Sequence, residues 1–223
     1  KFIEYCENES DSYTLKKISS LASQNNVYIL AGSIPEKEDE KLYNTSYLFD
    51  REGEIIAKHR KMHLFDIDVK DRITFKESDV LTAGDEFTVV ETEFGKIGIG
   101  ICYDIRFPEL ARIMVENGAL ILFYPGAFNM TTGPAHWELL FRSRALDNQV
   151  YCVGVAPALN KDASYHSFGH SIITSPWGEV IDEASDKEEI IYGEIDLSEI
   201  KKIREELPLL KNKREDLYEI IKK

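Results

Sequence analysis

The sequence has few cysteines. Only Cys6, Cys102 and Cys152 occur in 223 residues. They do not form the close pairs that are typical of zinc sites, and an odd number does not indicate a disulfide framework. Disulfides form and persist in oxidising compartments. We therefore expect a protein of a reducing compartment, the cytoplasm, with the mitochondrion as the alternative location.

Positive charge and long apolar runs are also scarce. Lysine and arginine total 27 residues against 40 aspartate and glutamate, which gives a formal net charge of -13. Nucleic acids and anionic membranes bind basic patches, so neither is expected as a partner. No apolar run approaches the roughly 20 residues of a membrane span, and we expect no leader peptide. A small-molecule substrate is the favoured partner, and a carboxylated one needs a local cation.

The remaining composition is typical of a globular domain. Hydrophobic residues make up 43% and aromatic residues 11% of the chain, enough for a substantial core, and one domain over residues 1–223 is expected. The first residue is lysine rather than methionine, so we expect that the polypeptide begins inside a longer one. There is no internal repeat and no low-complexity linker.

Apolar periodicity predicts alternating helices and strands with a few hairpins. Helices are predicted at 14–22, at 108–117, around 136–144 and from 197 onward. Strands are predicted at 27–33, 42–49, 55–61, 87–90, 97–101, 119–125, 150–155, 171–174 and 190–195. Residues 62–76 are interpreted as a long ordered loop. This alternation indicates the α/β class with a mixed sheet.

The stretch 97–109 organises these predictions. A β-branched apolar run ends at Cys102, and Pro108 then opens a helical pattern, so the strand would deliver the cysteine to a sharp strand-to-helix turn. On such a turn a thiol stands clear of the sheet, and the backbone N–H of Tyr103 points to where an oxyanion would form. The structural alternative is a small buried apolar residue, the usual fate of an unpaired cysteine.

A nucleophilic cysteine needs partners, and two residues qualify. Lys61 ends a predicted strand with an ammonium that could favour a thiolate and hold an oxyanion. Glu77 lies in the predicted loop. Taken singly, each has a surface alternative, a solvated lysine and a solvated carboxylate.

Two other patterns do not indicate a cofactor. His59 and His63 are four residues apart, but they straddle a strand end and no third ligand is evident, so no metal is predicted. Gly98 and Gly100 lie inside a strand without the third glycine of a phosphate loop. They are interpreted as allowing close approach of neighbouring side chains.

The sequence resembles the carbon–nitrogen hydrolases of the nitrilase superfamily. The resemblance extends over nearly the whole chain, and the order and spacing of its motifs are highly specific. The segments that carry it are 59–65, 100–109, 124–128, 132–137 and 142–145. Two further segments, 65–69 and 73–78, are most similar to the omega-amidase branch.

This resemblance implies an α-β-β-α sandwich that forms a homodimer through its sandwich face and uses no cofactor. It also implies a Glu-Lys-Cys catalytic set. By matching motif, Cys102 is the nucleophile, Lys61 the catalytic lysine, and Glu77 the second acidic residue that positions lysine and substrate. Tyr103 contributes its backbone N–H to the oxyanion hole.

The family's general base is a glutamate that follows an N-terminal strand, usually in a Pro-Glu pair. Glu4 lacks the preceding proline and a full strand, so it is not assigned to this role. We therefore expect the general base, and the opening strand–helix–strand of the fold, to be missing from this chain.

An omega-amidase hydrolyses the terminal amide of short dicarboxylic monoamides such as 2-oxoglutaramate and 2-oxosuccinamate. The predicted wall residues of the substrate pocket are Phe65, Phe128, Thr131, Thr132 and Trp137. For Phe128 and Trp137, a packing role is an equal alternative to contact with the substrate.

Two other functions stay open. One is another amidase of the superfamily, acting on deaminated glutathione or an N-carbamoyl compound. The other is a non-catalytic, dimeric binding or scaffold protein.

Overall fold

The computed structural model describes residues 2–70 and 73–221. The described residues fall into two compact units. The first is drawn from Lys1–Thr88 with Ile99–Asp104, and the second from Val89–Gly98 with Ile105–Lys223. The prediction of a single domain over 1–223 is not tested by this division.

The first unit packs one helix against a three-stranded antiparallel sheet. Its elements are α1 (Tyr13–Asn25), β1 (Ile29–Glu38), β2 (Lys41–Phe49) and β3 (Ile55–Arg60), with the strands in the order β1-β2-β3. The helix and hairpin predicted from periodicity are confirmed. The core between helix and sheet is formed by the buried side chains Leu15, Ala22, Ala31, Tyr47 and Phe49.

The prediction of a long loop at 62–76 is wrong. Two short strands, β4 (Asp66–Val69) and β5 (Ile73–Lys76), pair antiparallel there, while residues 71 and 72 lie outside the described residues. Strands of four residues that carry charged side chains and stay largely exposed show no apolar alternation, so periodicity could not reveal them.

The second unit is built on a six-stranded mixed sheet with order β11-β10-β9-β8-β7-β6. β8 pairs parallel with β9, and β9 pairs antiparallel with β10. The strands are β6 (Thr88–Thr92), β7 (Gly95–Ile99), β8 (Ile121–Pro125), β9 (Tyr151–Val155), β10 (Ile172–Thr174) and β11 (Val180–Glu183). The helices are α2 (Pro108–Glu116), α3 (Gly133–Asn148) and α4 (Leu197–Glu206).

Two glycines explain local features of this unit. Gly118 follows α2 with φ +99°, the left-handed conformation that commonly ends a helix. At Gly98, an added Cβ would lie 2.7 Å from Leu122 Cδ2 and 3.0 Å from Met114 Sδ. The interpretation of Gly98 as a close-packing residue is therefore confirmed.

The strand predicted at 190–195 is wrong. That segment has no regular secondary structure, and Ile190 and Tyr192 are both 79% exposed. The edge position next to β10 is taken by β11 instead. Alternating apolar residues predict a strand only where a neighbouring strand pairs with them, and no described strand pairs with this segment.

Among the residues described, no helix has both the length and the apolar character needed to cross a membrane.

Candidate active site

Cys102 has an unusual backbone conformation. β7 ends at Ile99, and Cys102 begins a short 3₁₀ helix, Cys102–Arg106, with φ +48°. The prediction of a turn between strand and helix is confirmed, although the strand stops before the cysteine. A left-handed non-glycine residue is uncommon, and such residues cluster at functional sites. The side chain is half-buried, so the thiol is not sealed in the core.

Two hydrogen bonds between Ile101 and Asp104 close the turn that contains Cys102. The Asp104 backbone N–H donates to the Ile101 carbonyl at 3.0 Å, and the Ile101 N–H donates to Asp104 Oδ2 at 2.9 Å. Tyr103 follows the cysteine, and its ring packs edge-on against Phe65 with 5.0 Å between centroids. These contacts hold the cysteine backbone in one conformation.

Lys61 is a buried cation directly after β3, with its side chain 3% exposed. Its Nζ donates a hydrogen bond to Glu77 Oε2. Its backbone is held on both sides, because its N–H donates to Asn44 O at 2.8 Å and its carbonyl accepts from Gly84 N at 2.9 Å. A buried ammonium is costly unless it is paired, so this lysine depends on its carboxylate partner.

Glu77 begins a short 3₁₀ helix immediately after β5. Its side chain is 13% exposed, and Oε2 also accepts from the Phe65 N–H at 2.7 Å. The carboxylate is thus held by Lys61 and by the chain near Phe65. The structure brings Lys61 and Glu77 together, and both belong to the same unit as Cys102.

Phe65 is the predicted pocket residue that lies in this unit. Its half-buried ring contacts Tyr103 and lies 5.9 Å from the Phe75 ring centroid. Its position beside Tyr103 and Glu77 places an apolar face next to the two residues with predicted roles.

Phe128 and Trp137 belong to the second unit and are core residues there, 4% and 1% exposed. Their rings meet edge to face with 5.0 Å between centroids, and Trp137 Nε1 donates to His170 O at 2.5 Å. These contacts are those of core residues, as the packing alternative for Phe128 and Trp137 predicts. Their predicted contact with substrate stays a prediction.

Thr131 and Thr132 precede α3 in the second unit and are half-buried. Both backbone N–H groups donate to Asn129 Oδ1 at 2.9 Å. The Asn129 side chain therefore fixes the backbone directly before α3. The predicted substrate contact of the two threonines stays a prediction as well.

Arg106 is a cation that follows Cys102 by four residues, and a carboxylated substrate needs a local cation. It ends the 3₁₀ helix that Cys102 begins, its guanidinium lies 4.7 Å from the Phe128 ring centroid, and Nη1 lies 3.0 Å from His136 Nδ1.

His59 and His63 both contact a carboxylate, that of Asp104. Within 2–70 and 73–221, the structure contains no group of three or more histidine, cysteine, aspartate or glutamate side chains arranged to hold a metal ion. The histidine pair therefore has a hydrogen-bonding explanation.

Comparison with known proteins identifies the family. The family described as carbon-nitrogen hydrolase matches residues 1–205. Omega-amidase NIT2 of Bos taurus is 50% identical over 219 residues, which cover 98% of this chain and 79% of the relative. Omega-amidase NIT2 of Xenopus tropicalis is 51% identical over 222 residues, covering 100% of this chain and 80% of the relative.

Solved structures agree with this result. Saccharomyces cerevisiae Nit3, described as a member of branch 10 of the nitrilase superfamily, has a TM-score of 0.86 at 43% identity, covering 96% of this chain and 77% of that one. The C. elegans NitFhit protein has a TM-score of 0.88 at 36% identity, covering 95% of this chain and 52% of that one. The chain therefore belongs to the carbon–nitrogen hydrolase family, within the nitrilase superfamily, and has its mixed α/β fold.

Proposed function

We propose that this protein is an omega-amidase, a hydrolase of non-peptide carbon–nitrogen bonds that releases ammonia from the terminal amide of short dicarboxylic monoamides. The chain falls in the omega-amidase branch, with curated relatives at about 50% identity over nearly its full length. The structural observation that carries the proposal is the buried Lys61–Glu77 pair in the same unit as a left-handed Cys102. The substrates we propose are 2-oxoglutaramate and 2-oxosuccinamate.

In the proposed mechanism, the Cys102 thiolate attacks the amide carbon and the carbonyl oxygen takes up the electron pair. Lys61 Nζ and the Tyr103 N–H hold this oxyanion. The carbon–nitrogen bond then breaks, and the leaving nitrogen takes the proton that the thiol gave up and departs as ammonia. Water hydrolyses the resulting thioester to the carboxylate and regenerates the thiol. The proton-accepting glutamate that the resemblance implies is not assigned to a residue of this sequence.

The role we propose for Glu77 follows from its contacts. Its carboxylate holds the buried Lys61 ammonium and is itself oriented by the Phe65 N–H. The ammonium is held away from solvent, and we propose that its positive charge favours the Cys102 thiolate. Preorganised donors of this kind stabilise developing charge without reorganisation during the reaction.

We propose Arg106 as the cation that meets the substrate carboxylate. Its guanidinium is already placed against Phe128 and His136. It follows Cys102 by four residues in the sequence, within one short 3₁₀ helix. A planar guanidinium binds a carboxylate through two parallel hydrogen bonds.

The test is ammonia release by the complete natural polypeptide from 2-oxoglutaramate and 2-oxosuccinamate. Cys102→Ala should abolish release, whereas Cys6→Ala, a change at a half-buried thiol in the same unit, should leave it intact. Release only from deaminated glutathione or an N-carbamoyl compound would identify another amidase of the superfamily. No release from a broad amide panel would support the scaffold alternative.

We also propose that the protein forms a homodimer. Leu139 and Leu146 on α3 are 63% and 42% exposed, and Trp177 is 50% exposed. Gly178 lies against Leu146, since a Cβ added there would be 3.3 Å from Leu146 Cβ. Exposed apolar patches of this kind mark association sites.

The oligomeric state can be measured by sedimentation velocity. Leu139→Glu should shift the protein toward monomer. Leu217→Glu, at a leucine that is 68% exposed in the C-terminal segment, is the matched control and should sediment as the wild type does. A monomeric wild type would reject the proposal.

We propose a cytoplasmic location on the basis of the cysteines, with the mitochondrion as the alternative. No disulfide joins Cys6, Cys102 or Cys152, as a reducing compartment allows. Fractionation of the native cells, with detection in the cytosolic and the mitochondrial fractions, separates the two locations.

A further inference from the structure

Asp104 is a fully buried carboxylate two residues after Cys102. Hydrogen bonds reach both of its oxygens. Oδ1 accepts from the His63 backbone N–H at 2.9 Å and from His63 Nδ1 at 2.8 Å, and Oδ2 accepts from the Ile101 N–H at 2.9 Å and from His59 Nε2 at 3.2 Å. The mechanism proposed above does not use this group.

The donors keep Asp104 ionised inside the protein. Burial raises the pKa of this carboxyl, but the hydrogen bonds from His59, His63 and the Ile101 N–H outweigh burial and hold the pKa well below its usual range. Both histidine rings therefore act as donors toward one anion. On the other side of the His59 ring, Nδ1 lies 3.0 Å from Thr88 Oγ1.

The positions of these partners in the sequence are informative. His59 and His63 stand two residues before and two residues after Lys61, while Ile101 and Asp104 stand on either side of Cys102. One carboxylate thus connects the segment that carries the lysine to the turn that carries the cysteine. The same carboxylate helps to close the turn that keeps Cys102 at φ +48°.

We propose that Asp104, held by His59 and His63, is a positioning residue that fixes Cys102 relative to Lys61. This inference rests on the proposed function, because it matters only if the thiolate attacks a carbon whose oxygen the lysine holds. Small misplacements of reacting groups lower the rate steeply. Since substrate binding in the ground state does not need this geometry, the loss falls on the transition state.

A reversible covalent probe tests the geometry directly. Succinic semialdehyde forms a thiohemiacetal when a thiolate adds to its aldehyde carbon, and the new oxyanion is then held as in the amide reaction. Succinate binds without a covalent step. For Asp104→Asn we expect affinity for the aldehyde to fall at least about 30-fold, affinity for succinate to change less than about 3-fold, and kcat to fall about 100-fold. If the substitution only lowered stability, less protein would be folded, but the affinity of each folded molecule for the aldehyde would stay the same.

Asp50→Asn is the matched control. Asp50 also closes a turn through its carboxylate, accepting from the Glu52 and Glu54 N–H groups at 3.0 and 2.9 Å, but it has no proposed role in the reaction. This variant should retain the affinities and kcat of the wild type.

His63→Ala provides a second variant in case Asp104→Asn does not fold. It removes one ring donor at a partly exposed position, with 29% of the side chain accessible, and leaves the backbone donor in place. We expect about a 10-fold loss of aldehyde affinity with unchanged succinate affinity. If both variants bind the aldehyde as the wild type does, the inference is overturned while the amidase proposal stands. A wild type that neither releases ammonia nor binds the aldehyde would instead reject the proposed function.

Discussion

The buried charges of Lys61 and Asp104 each have a named partner of opposite charge or a set of hydrogen-bond donors. Lys61 has Glu77, and Asp104 has the two histidines. Removing one member of a buried pair leaves the other charge without compensation, which costs about 3–5 kcal/mol. At the scale of single residues, substituting one member of such a pair is therefore expected to lower both the free energy of unfolding and the reaction rate.

For Glu77→Gln we expect kcat to fall at least about 100-fold, because the Lys61 ammonium loses the anion that orients it. The free energy of unfolding should also fall, by about 3 kcal/mol. Ammonia release and urea unfolding measure the two effects. Glu91→Gln, at an exposed glutamate on β6, is the control and should alter neither. A Glu77→Gln variant with kcat within twofold of the wild type would exclude the proposed role of this carboxylate.

For Arg106→Met we expect the KM for 2-oxoglutaramate to rise about 10- to 100-fold, since a charge-assisted hydrogen bond to the substrate carboxylate is lost. The KM for a neutral amide of similar length should change little. Steady-state kinetics with both substrates provide the comparison. Arg142→Met removes a half-exposed arginine on α3 that pairs with Glu138 and should affect neither substrate. An equal rise for anionic and neutral amides would show that Arg106 does not recognise the carboxylate.

Between secondary-structure elements, one polar network connects all three strands of the first sheet. Glu36 on β1 is 2% exposed and accepts from Thr45 on β2 at 2.6 Å and from Arg60 on β3 at 2.7 and 2.8 Å. Burial raises the pKa of Glu36, but these hydrogen bonds and the charge of Lys58 lower it to about 2. The network thus stabilises β3, the strand directly before Lys61.

This network predicts a pH-dependent stability. A carboxyl whose pKa falls from 4.5 to about 2 on folding stabilises the protein above pH 4.5 and loses that contribution as pH falls toward 2. The full contribution is at most about 3 kcal/mol. The difference in unfolding free energy between wild type and Glu36→Gln should therefore shrink from pH 5 to pH 3 in urea titrations.

Glu40→Gln, at an exposed glutamate in the β1–β2 turn, serves as the control for the acid titration. Its difference from the wild type should stay constant over the same pH range. A Glu36→Gln difference that is also constant with pH would show that Glu36 is not stabilised as an anion.

At the scale of the whole molecule, charge opposes the proposed substrate. The chain has a net charge of -13, and dicarboxylic monoamides are anions, so long-range repulsion should raise their KM at low salt. Raising the ionic strength from about 10 to 150 mM shortens the screening length from about 30 to 8 Å. The proposed contact between the substrate carboxylate and Arg106 is of short range and should be screened less.

We therefore expect the KM for 2-oxoglutaramate to fall about 2- to 3-fold over this range of ionic strength. The KM for a neutral amide should stay constant. Kinetics in sodium chloride for both substrates provide the measurement. An anionic KM that rises with salt would mean that local positive charge, rather than the net charge, governs substrate encounter.

Much of the local structure could be predicted because its causes are local. The helix around Leu15 and Ala22, the hairpin on either side of Asp50 and the stop of α2 at Gly118 follow from apolar spacing and turn residues within a few positions. The errors at 62–76 and 190–195 have a different origin. Whether a segment becomes a strand depends on which partner lies beside it, and single-segment periodicity does not contain that information.

The sequence by itself determined the family and the candidate residues Cys102, Lys61 and Glu77, because motif order and residue chemistry are properties of the chain. Only the tertiary structure decided how these residues are arranged. Lys61 meets Glu77 across 16 positions, and Asp104 meets His63 across 41. Contacts between residues so far apart exist only once the intervening chain has folded, because its packed core compensates for the entropy of closing those loops.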